Sequence, residues 1–386
     1  MAGRTSPKIL YLVTEDWYFC SHRLPIARAA RDAGLEVVVA TRVQDHRHEI
    51  ERQGFTLVLL DFPRRLSNPW RELSTLIAII RLYRAERPDI VHHVAMKPVV
   101  LGSVAAFMTG VPRVINALAG LGYVFAAKSA KARILRFLNG LAFRLLLNRP
   151  ASRVIVQNPD DRDTLIGAGI VLPEQMVLIK GSGVDIARFT PAPEPEGRLR
   201  LAFVSRMLWP KGAGVLVEAA RLLKARGVAI DIVLAGLPDA ANPASVSEAE
   251  LKAWHQEGAV EWIGFADDVP ALLAGCHIVA LPSFYGEGVP KCLLEAAASA
   301  RPIVAADGPG LREIVDDGVN GILVPPRDAG ALADAIERLA NDATLRRDMG
   351  QAGRRIAEGA FAEEIVVRKT LDLYRRMLGS RWPGGG

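Results

Sequence analysis

The chain has 386 residues, of which 50% are hydrophobic and 23% charged, and its formal net charge is +6. A chain of this length is longer than an ordinary domain with a single hydrophobic core, so we predict two α/β domains. No run reaches about eighteen uncharged apolar residues, and no apolar signal core precedes the first predicted strand, which excludes a membrane-spanning chain and predicts a cytosolic protein. Cys20, Cys276 and Cys292 lack metal-ligand spacing, so we expect neither a zinc site nor a disulfide.

The positive charge is concentrated in the first half, where residues 1–190 hold 26 Lys and Arg against 16 Asp and Glu. Residues 120–153 contain no acidic residue, and apolar residues at helical spacing lie between their cations. This pattern predicts an interface helix that binds an anionic membrane surface through residues 121–153. The alternative is a core helix with a solvated basic edge. We expect no nucleic-acid partner, because no recognised binding motif accompanies the patch.

The first half alternates short apolar strands with helical segments, which is typical of βαβ units in a parallel sheet. A loop is expected over 14–20, a helix over 21–33, and a further loop around Lys97 and Pro98. The predicted strands span residues 8–13, 35–40, 56–60, 89–94, 111–117 and 153–157.

The pattern restarts after a Pro-rich linker at residues 191–197, where we place the domain boundary. Strands are predicted over 199–204, 231–236 and 302–306, and a final amphipathic helix over 361–378. Residues 381–386 should fray.

The most informative stretch follows the buried strand 276–281. Gly286 and Gly288 allow a tight turn close to a ligand, Pro290 suits the first helical position, and residues 291–300 form a good helix. The free amides and positive dipole of a helix N-terminus favour an anion such as a diphosphate.

Two carboxylates bracket this turn. Glu287 lies in the loop and Glu295 one to two turns inside the helix, so they cannot act as one catalytic pair. One can reach a sugar hydroxyl beyond the phosphates, and the other a ribose hydroxyl behind them.

The run from Glu287 to Glu295, together with residues 301–315 and 317–325, resembles the retaining nucleotide-sugar glycosyltransferases of family four. The resemblance implies an α/β GT-B fold, in which two Rossmann-like βαβ domains face each other across a cleft and a C-terminal helix crosses back to the N-terminal domain. It implies an acceptor-binding domain over 1–190, a nucleotide-sugar-binding domain over 191–360, and the crossover helix and tail over 361–386.

The resemblance also assigns roles in the second domain. Arg206 and Lys211 match the family's diphosphate-binding pair, and cations at a strand end would stabilise a leaving group whose negative charge grows. Ordinary surface charge is the alternative for both. Glu287 would orient the transferred sugar. The predicted nucleotide-sugar contacts are Gly236, Gly264, Phe265, Gly288, Val289, Pro290, Lys291 and Glu295.

In the first domain, family members often carry His-x-His followed by a Lys after the strand at 89–94. His92 and Lys97 match, whereas Val94 occupies the second His position, so a catalytic role is open to His92 or His93. A buried, hydrogen-bonded histidine is the alternative. Ser21, His22, Lys97 and Gly122 are the predicted acceptor-side residues, with helix capping as the alternative for His22.

The predicted function is metal-independent retaining transfer of a sugar from a UDP-sugar to a polyprenyl-diphosphate-linked saccharide at the inner face of the plasma membrane. No cofactor is expected, and no Asp-x-Asp of the metal-holding type follows an apolar strand. The loop at 242–245 and residues 260–269 resemble bacterial enzymes that add an N-acetylhexosamine such as GalNAc. Two alternatives are a non-hydrolysing UDP-sugar epimerase of the same architecture and a non-catalytic UDP-sugar-binding protein.

Overall fold

The computed structural model describes residues 6–62, 68–120, 143–284 and 286–384. The chain forms two compact units, the first made of Met1–Ser182 and Glu364–Gly386 and the second of Gly183–Glu363. The predicted boundary at 190 therefore differs by eight residues from the end of the first segment. Residues 183–190 belong to the second unit because Val184 forms a parallel bridge with Ala362 and Phe189 is buried in the core of that unit.

Within the described residues, the first unit contains a seven-stranded parallel sheet of order β3-β2-β1-β4-β5-β6-β7. The central strands β1 and β4 are buried on both faces, which explains their nearly continuous apolar sequences. The strands are β1 Lys8–Glu15, β2 Glu36–Arg42, β3 Thr56–Leu59, β4 Ile90–Val94, β5 Val114–Ala117, β6 Ser152–Val156 and β7 Met176–Leu178.

The helices of the first unit differ from the prediction at two points. The loop predicted over 14–20 is wrong: β1 extends to Glu15 and a helix begins at Asp16, whose buried carboxylate accepts the amides of Trp17, Gln44 and His46. The loop predicted around Lys97 is also wrong, because that residue lies in the first turn of a helix, where Pro98 is tolerated. The helices are α1 Asp16–His22, α2 Leu24–Asp32, α3 Arg47–Glu51, α4 Pro69–Glu86, α5 Met96–Thr109 and α6 Pro159–Gly167.

The second unit holds a six-stranded parallel sheet of order β10-β9-β8-β11-β12-β13 in its described part. Its strands are β8 Leu199–Val204, β9 Ile230–Ala235, β10 Glu261–Gly264, β11 Ile278–Leu281, β12 Ile303–Ala306 and β13 Gly321–Val324. Its helices are α7 Ala213–Ala225, α8 Glu248–Gln256, α9 Val269–Ala274, α10 Lys291–Ala298, α11 Pro309–Arg312, α12 Ala329–Asn341 and α13 Ala343–Ile356.

The last helix, α14 Glu363–Leu378, returns the chain to the first unit, where Tyr374 and Leu378 are buried in the core beneath β1. The tail is more ordered than predicted. Trp382 is buried in the same core, and Nη1 of Arg381 lies 2.7 Å from Oδ1 of Asp89. The tail is therefore part of the first unit as far as these contacts reach.

In the part of the chain that the structure describes, no helix is long and apolar enough to cross a membrane.

Candidate active site

The order of the second sheet fixes the position of the site. Strand β8 lies between β9 and β11, so the chain leaves β8 in opposite directions along the sheet. Such a switch point opens a crevice at the carboxyl ends of the strands, where ligands of parallel α/β sheets bind. Arg206 and Lys211 follow β8, and Glu287 follows β11, so this topology brings the three predicted charged residues to one edge.

Lys211 and Glu287 are in direct contact. Nζ of Lys211 lies 2.5 Å from Oε1 of Glu287, and Oγ of Ser283 donates to the same carboxylate oxygen over 2.8 Å. The two charged side chains are 17% and 11% exposed, so the pair is partly shielded from water. The backbone allows this approach because Gly212 has φ +88°, and a Cβ there would lie 2.2 Å from the Pro282 carbonyl oxygen.

Arg206 is held by a different carboxylate. Its Nη1 lies 3.0 Å from Oδ2 of Asp239, in the loop after β9. The Arg206 side chain is 47% exposed, whereas that of Asp239 is 10% exposed. The amide of Asp239 donates to Oγ of Ser245 over 2.9 Å, which fixes the loop. The site thus presents two cations, each beside a carboxylate of its own.

The turn before α10 is built as a close backbone approach. Gly288, Val289 and Pro290 are buried, and a Cβ on Gly310 would lie 1.4 Å from the Gly288 carbonyl oxygen. Pro290 is the residue before the helix, which begins at Lys291, so its prediction as the first helical residue is wrong by one position. In the described part of the chain, no side-chain cap is found at this helix N-terminus, and the amides of its first turn point out of the helix towards the loop.

Glu295 is a titratable carboxyl inside α10. Desolvation raises the pKa of Glu295 to about 7, while Lys291 and Arg188 act in the opposite direction. Desolvation also raises the pKa of the Cys292 thiol to about 12, against the influence of Lys211. Cys292 is therefore a neutral thiol, and Glu295 changes charge near neutral pH.

The predicted nucleoside-side residues lie together at the ends of β9 and β10. The amide of Gly236 donates to the carbonyl of Gly264 over 2.6 Å, and Nε1 of Trp262 donates to the Gly236 carbonyl over 2.9 Å. Gly236 has φ +145°, and a Cβ there would lie 1.9 Å from the Ser205 carbonyl oxygen. Phe265 is 66% exposed, so its ring is available to a ligand at this edge.

The histidines of β4 do not reach the surface. His93 is fully buried, with Nδ1 2.8 Å from Oδ1 of Asn116 and Nε2 2.8 Å from the Tyr83 hydroxyl. Burial lowers the pKa of His93 to about 4. Both ring nitrogens are hydrogen-bonded, which favours the buried, hydrogen-bonded alternative for His93 over a catalytic role.

His92 is also buried, at 1% exposure, and Nδ1 lies 2.5 Å from the Tyr374 hydroxyl. Desolvation, followed by the Arg23 cation and His93, holds the pKa of His92 well below its usual range. Its Nε2 is buried without a hydrogen-bond partner in the described structure. His92 is therefore a neutral side chain with one uncommitted nitrogen, a poor general base.

The described acceptor-side residues make separate local contacts within the first unit. Nζ of Lys97 lies 2.8 Å from Oε1 of Glu72. Oγ of Ser21 hydrogen-bonds Nδ1 of His22, whose ring stacks on Tyr18 with centroids 4.1 Å apart. Gly122 and most of the predicted membrane-binding segment, residues 121–142, lie outside the described residues.

Sequence reasoning missed Asp239 and Ser283, which hold Arg206 and Glu287. Ser283 lies four residues before Glu287, so a hydroxyl next to the motif was an available signal. Asp239 lies 33 residues from Arg206, and only the sheet order brings the two together.

Across the described ranges, no group of three or more His, Cys, Asp or Glu side chains could hold a metal ion.

Solved structures of similar fold include HepE of Anabaena bound to UDP, with a TM-score of 0.76, 21% identity, and coverage of 96% of this chain and 100% of that one. Sucrose-phosphate synthase of Thermosynechococcus elongatus gives a TM-score of 0.77, 21% identity, and coverage of 97% and 100%. With two parallel Rossmann-like sheets, this is the GT-B fold of glycosyltransferases.

Two family models match the two halves of the chain: glycosyl transferase 4-like over residues 8–158, and glycosyl transferases group 1 over residues 198–342. The two matches together identify the chain as a glycosyltransferase with a 4-like domain in its first half and a group 1 domain in its second half.

Among curated relatives, the N,N'-diacetylbacillosaminyl-diphospho-undecaprenol alpha-1,3-N-acetylgalactosaminyltransferase of Campylobacter jejuni is 26% identical over 369 residues, covering 92% of this chain and 95% of that protein. The UDP-Gal:alpha-D-GlcNAc-diphosphoundecaprenol alpha-1,3-galactosyltransferase of Escherichia coli is 25% identical over 319 residues, 80% of each chain.

Proposed function

We propose that this glycosyltransferase moves an N-acetylhexosamine such as GalNAc, with retention of configuration and without a metal, from its UDP-sugar to a polyprenyl-diphosphate-linked saccharide. The reaction would serve the synthesis of a bacterial cell-surface glycan.

The observation that carries the donor assignment is the arrangement at the carboxyl edge of the second sheet. Arg206 and Lys211 present two cations there, and the N-terminus of α10 directs its amides at the same turn. Together these groups suit the diphosphate of a UDP-sugar. Because Lys211 already contacts Glu287, one ammonium group can bridge the leaving phosphate and the carboxylate that orients the sugar.

The acceptor assignment is supported by the relatives. The Campylobacter jejuni and Escherichia coli enzymes both act, by name, on sugars joined to undecaprenol through a diphosphate. Their names differ in the sugar transferred, N-acetylgalactosamine in one and galactose in the other. The fuller coverage of the first relative favours GalNAc for this chain.

In the proposed reaction, the bond between C1 of the sugar and the UDP oxygen breaks, and the acceptor hydroxyl oxygen bonds to C1 on the same face. The leaving phosphate takes the hydroxyl proton. The cations stabilise the negative charge that develops on the diphosphate. No protein nucleophile is needed for this step.

The test is incubation of the purified protein with a panel of UDP-sugars, with and without an undecaprenyl-diphosphate-linked saccharide, in EDTA. We expect UDP release only with acceptor, fastest with UDP-GalNAc, and an α-linked product by NMR. A β-linked product would contradict retention, and activity restored only by added divalent cation would contradict metal independence.

The same assay separates the alternatives from other classes. A new UDP-sugar formed without acceptor would identify an epimerase. Tight UDP-sugar binding without turnover on any acceptor would identify a binding protein.

We propose in addition that residues 121–153 attach the enzyme to the inner face of the plasma membrane. The segment carries seven Lys and Arg and no acidic residue. Cosedimentation with vesicles containing anionic lipid should exceed that with neutral vesicles and should fall with salt. Equal binding to both would exclude this attachment.

A further inference from the structure

Arg23 is a buried cation between two helices of the first unit. It links α1 to α2 and is 4% exposed, and its amide donates to the Phe19 carbonyl over 2.8 Å. Its Nη1 donates to the His22 carbonyl over 3.0 Å, whereas its Nε is buried without a hydrogen-bond partner among the described residues. Arginine is seldom buried so fully unless its charge is paired, because desolvation penalises an unpaired charge.

No side-chain carboxylate neutralises Arg23. The described structure shows no ion pair for this guanidinium, and the residues outside the described ranges include no Asp or Glu. Those residues therefore cannot supply the missing acidic side chain. The guanidinium therefore retains N–H groups that can donate to an oxyanion, and the oxyanion must come from a ligand.

His92 provides a second buried group without a hydrogen-bond partner in the described structure. The ring of Tyr11 stacks on His92 with centroids 5.3 Å apart and packs edge-on against Phe19, one helical turn before Arg23. Burial is the main cause of the shifted pKa values of His92, Tyr11 and Tyr374, and the charge of Arg23 acts to lower the pKa of all three. Nε2 of His92 and Nε of Arg23, both without a described hydrogen-bond partner, therefore belong to the same buried cluster.

The hydroxyl chain around His92 is compatible with a donor at Nε2. The Tyr11 and Tyr374 hydroxyls are 3.0 Å apart, and the Tyr374 hydroxyl lies 2.5 Å from Nδ1 of His92. If Tyr11 donates to Tyr374 and Tyr374 donates to Nδ1, the neutral ring carries its proton on Nε2. That proton and the guanidinium would then serve one anion.

We propose that Arg23 and His92 form an oxyanion site in the first unit that takes a phosphate group of the acceptor. The assignment to the acceptor diphosphate rests on the proposed function; the oxyanion site itself does not. It is separate from Arg206 and Lys211, which belong to the second unit. An arginine fork matches phosphate oxygens, and a neutral imidazole N–H adds a directional donor.

The direct test is calorimetric titration of inorganic pyrophosphate into protein saturated with UDP, which fills the donor site. We expect one pyrophosphate per chain, and Arg23→Met should weaken binding roughly 10- to 100-fold, the range for a hydrogen bond to a charged group. Arg28→Met, an exposed arginine on the same α2, is the matched control and should bind as the wild type does. Absence of binding to the UDP-saturated protein, or equal binding by Arg23→Met, would overturn the site.

A second measurement uses only the wild-type protein, so its result does not depend on whether a variant folds. In a ¹⁵N spectrum of labelled histidine rings, His92 should carry its proton on Nε2, and pyrophosphate should shift that resonance. A proton found on Nδ1 instead would refute the proposed donor. Arg23→Lys, which keeps the charge and loses the fork, should bind pyrophosphate with intermediate affinity.

Transfer kinetics separate this inference from the proposed function. Arg23→Met should raise the KM for the undecaprenyl-diphosphate-linked acceptor at least about tenfold and leave that for the UDP-sugar within about twofold. Pyrophosphate binding through Arg23, together with no transfer by the wild type to the lipid-linked acceptor, would reject the proposed function and support the oxyanion site. Transfer with no pyrophosphate binding would support the function and reject the site.

Discussion

Nζ of Lys211 and Oε1 of Glu287, 76 residues apart in sequence, lie 2.5 Å from each other at the ends of the neighbouring strands β8 and β11. The contact joins the cation expected to bind the leaving group to the carboxylate expected to orient the sugar. Ser283 supports it from the same loop. A change at either residue should therefore affect both tasks.

Lys211→Ala or Glu287→Ala should abolish transfer, with kcat falling at least about 100-fold, because each removes a charge placed for the transition state. The fold should stay intact, which circular dichroism checks, although the melting temperature should fall because the remaining, largely buried charge loses its partner. Lys252→Ala breaks the exposed Lys252–Glu248 pair and is the control. Normal turnover in either site variant would exclude this pair from the reaction.

Glu295→Gln should change the pH dependence of stability. The folded pKa of Glu295 is raised to about 7 from an ordinary 4.5. Below about pH 4.5 the carboxyl is protonated in both states; as the pH rises to 7, only the unfolded state ionises, so wild-type stability falls. Above pH 7 the variant should be more stable than the wild type by roughly 1–3 kcal/mol.

Urea unfolding of wild type and Glu295→Gln at pH 5 and pH 8 measures this difference. Glu248→Gln, at an exposed carboxylate, should show no comparable gain at pH 8. A constant difference between wild type and Glu295→Gln across this range would mean that Glu295 keeps an ordinary pKa.

Gly310→Ala should damage the donor site from a distance. The new Cβ would meet the Gly288 carbonyl oxygen at 1.4 Å and displace the turn that carries Glu287. A displacement of this size should lower kcat/KM for the UDP-sugar roughly 100-fold. At Gly359 the space around a Cβ is open within 4 Å, so Gly359→Ala should retain activity. Equal kinetics in the two variants would show that the turn tolerates the shift.

Gly102→Ala should destabilise the first unit by about 1–3 kcal/mol through overpacking. Its Cβ would lie 2.5 Å from Nε2 of His93, whose ring is held by Tyr83 and Asn116 and cannot move without losing a hydrogen bond. Gly167→Ala, in α6 with open space around its Cβ, should leave stability unchanged or slightly higher. Thermal unfolding followed by circular dichroism compares them, and an unchanged midpoint for Gly102→Ala would contradict the predicted clash.

The sheets and the second-unit site were accessible to sequence reasoning for a physical reason. Buried parallel strands need continuous apolar runs, so β1, β8 and β11 stand out, and the turn before α10 needs glycines at fixed spacing. Glycines that form a loop, and charged residues that directly follow a strand, indicate a ligand site even when the tertiary fold is unknown. The resemblance to the family-four glycosyltransferases then assigned roles at this site to Arg206, Lys211 and Glu287.

The first-unit details were not accessible, because they depend on partners distant in sequence. Asp16 begins a helix by accepting amides of residues 44 and 46, which no local pattern indicates. His93 seemed a catalytic candidate until Tyr83 and Asn116 were seen to bind both of its nitrogens. A lone arginine between two helices carries no sequence signal of its burial, and for this reason Arg23 went unnoticed.

The return of the chain to the first unit has a consequence for biosynthesis. A ribosome releases residues 183–363 before residues 364–386, so the second unit can complete its fold while the first still lacks Tyr374 and Trp382. The first unit, whose main segment is translated first, is therefore the last to complete its fold. A nascent chain stalled before residue 364 would expose the apolar surface beneath β1 and become a client for chaperones.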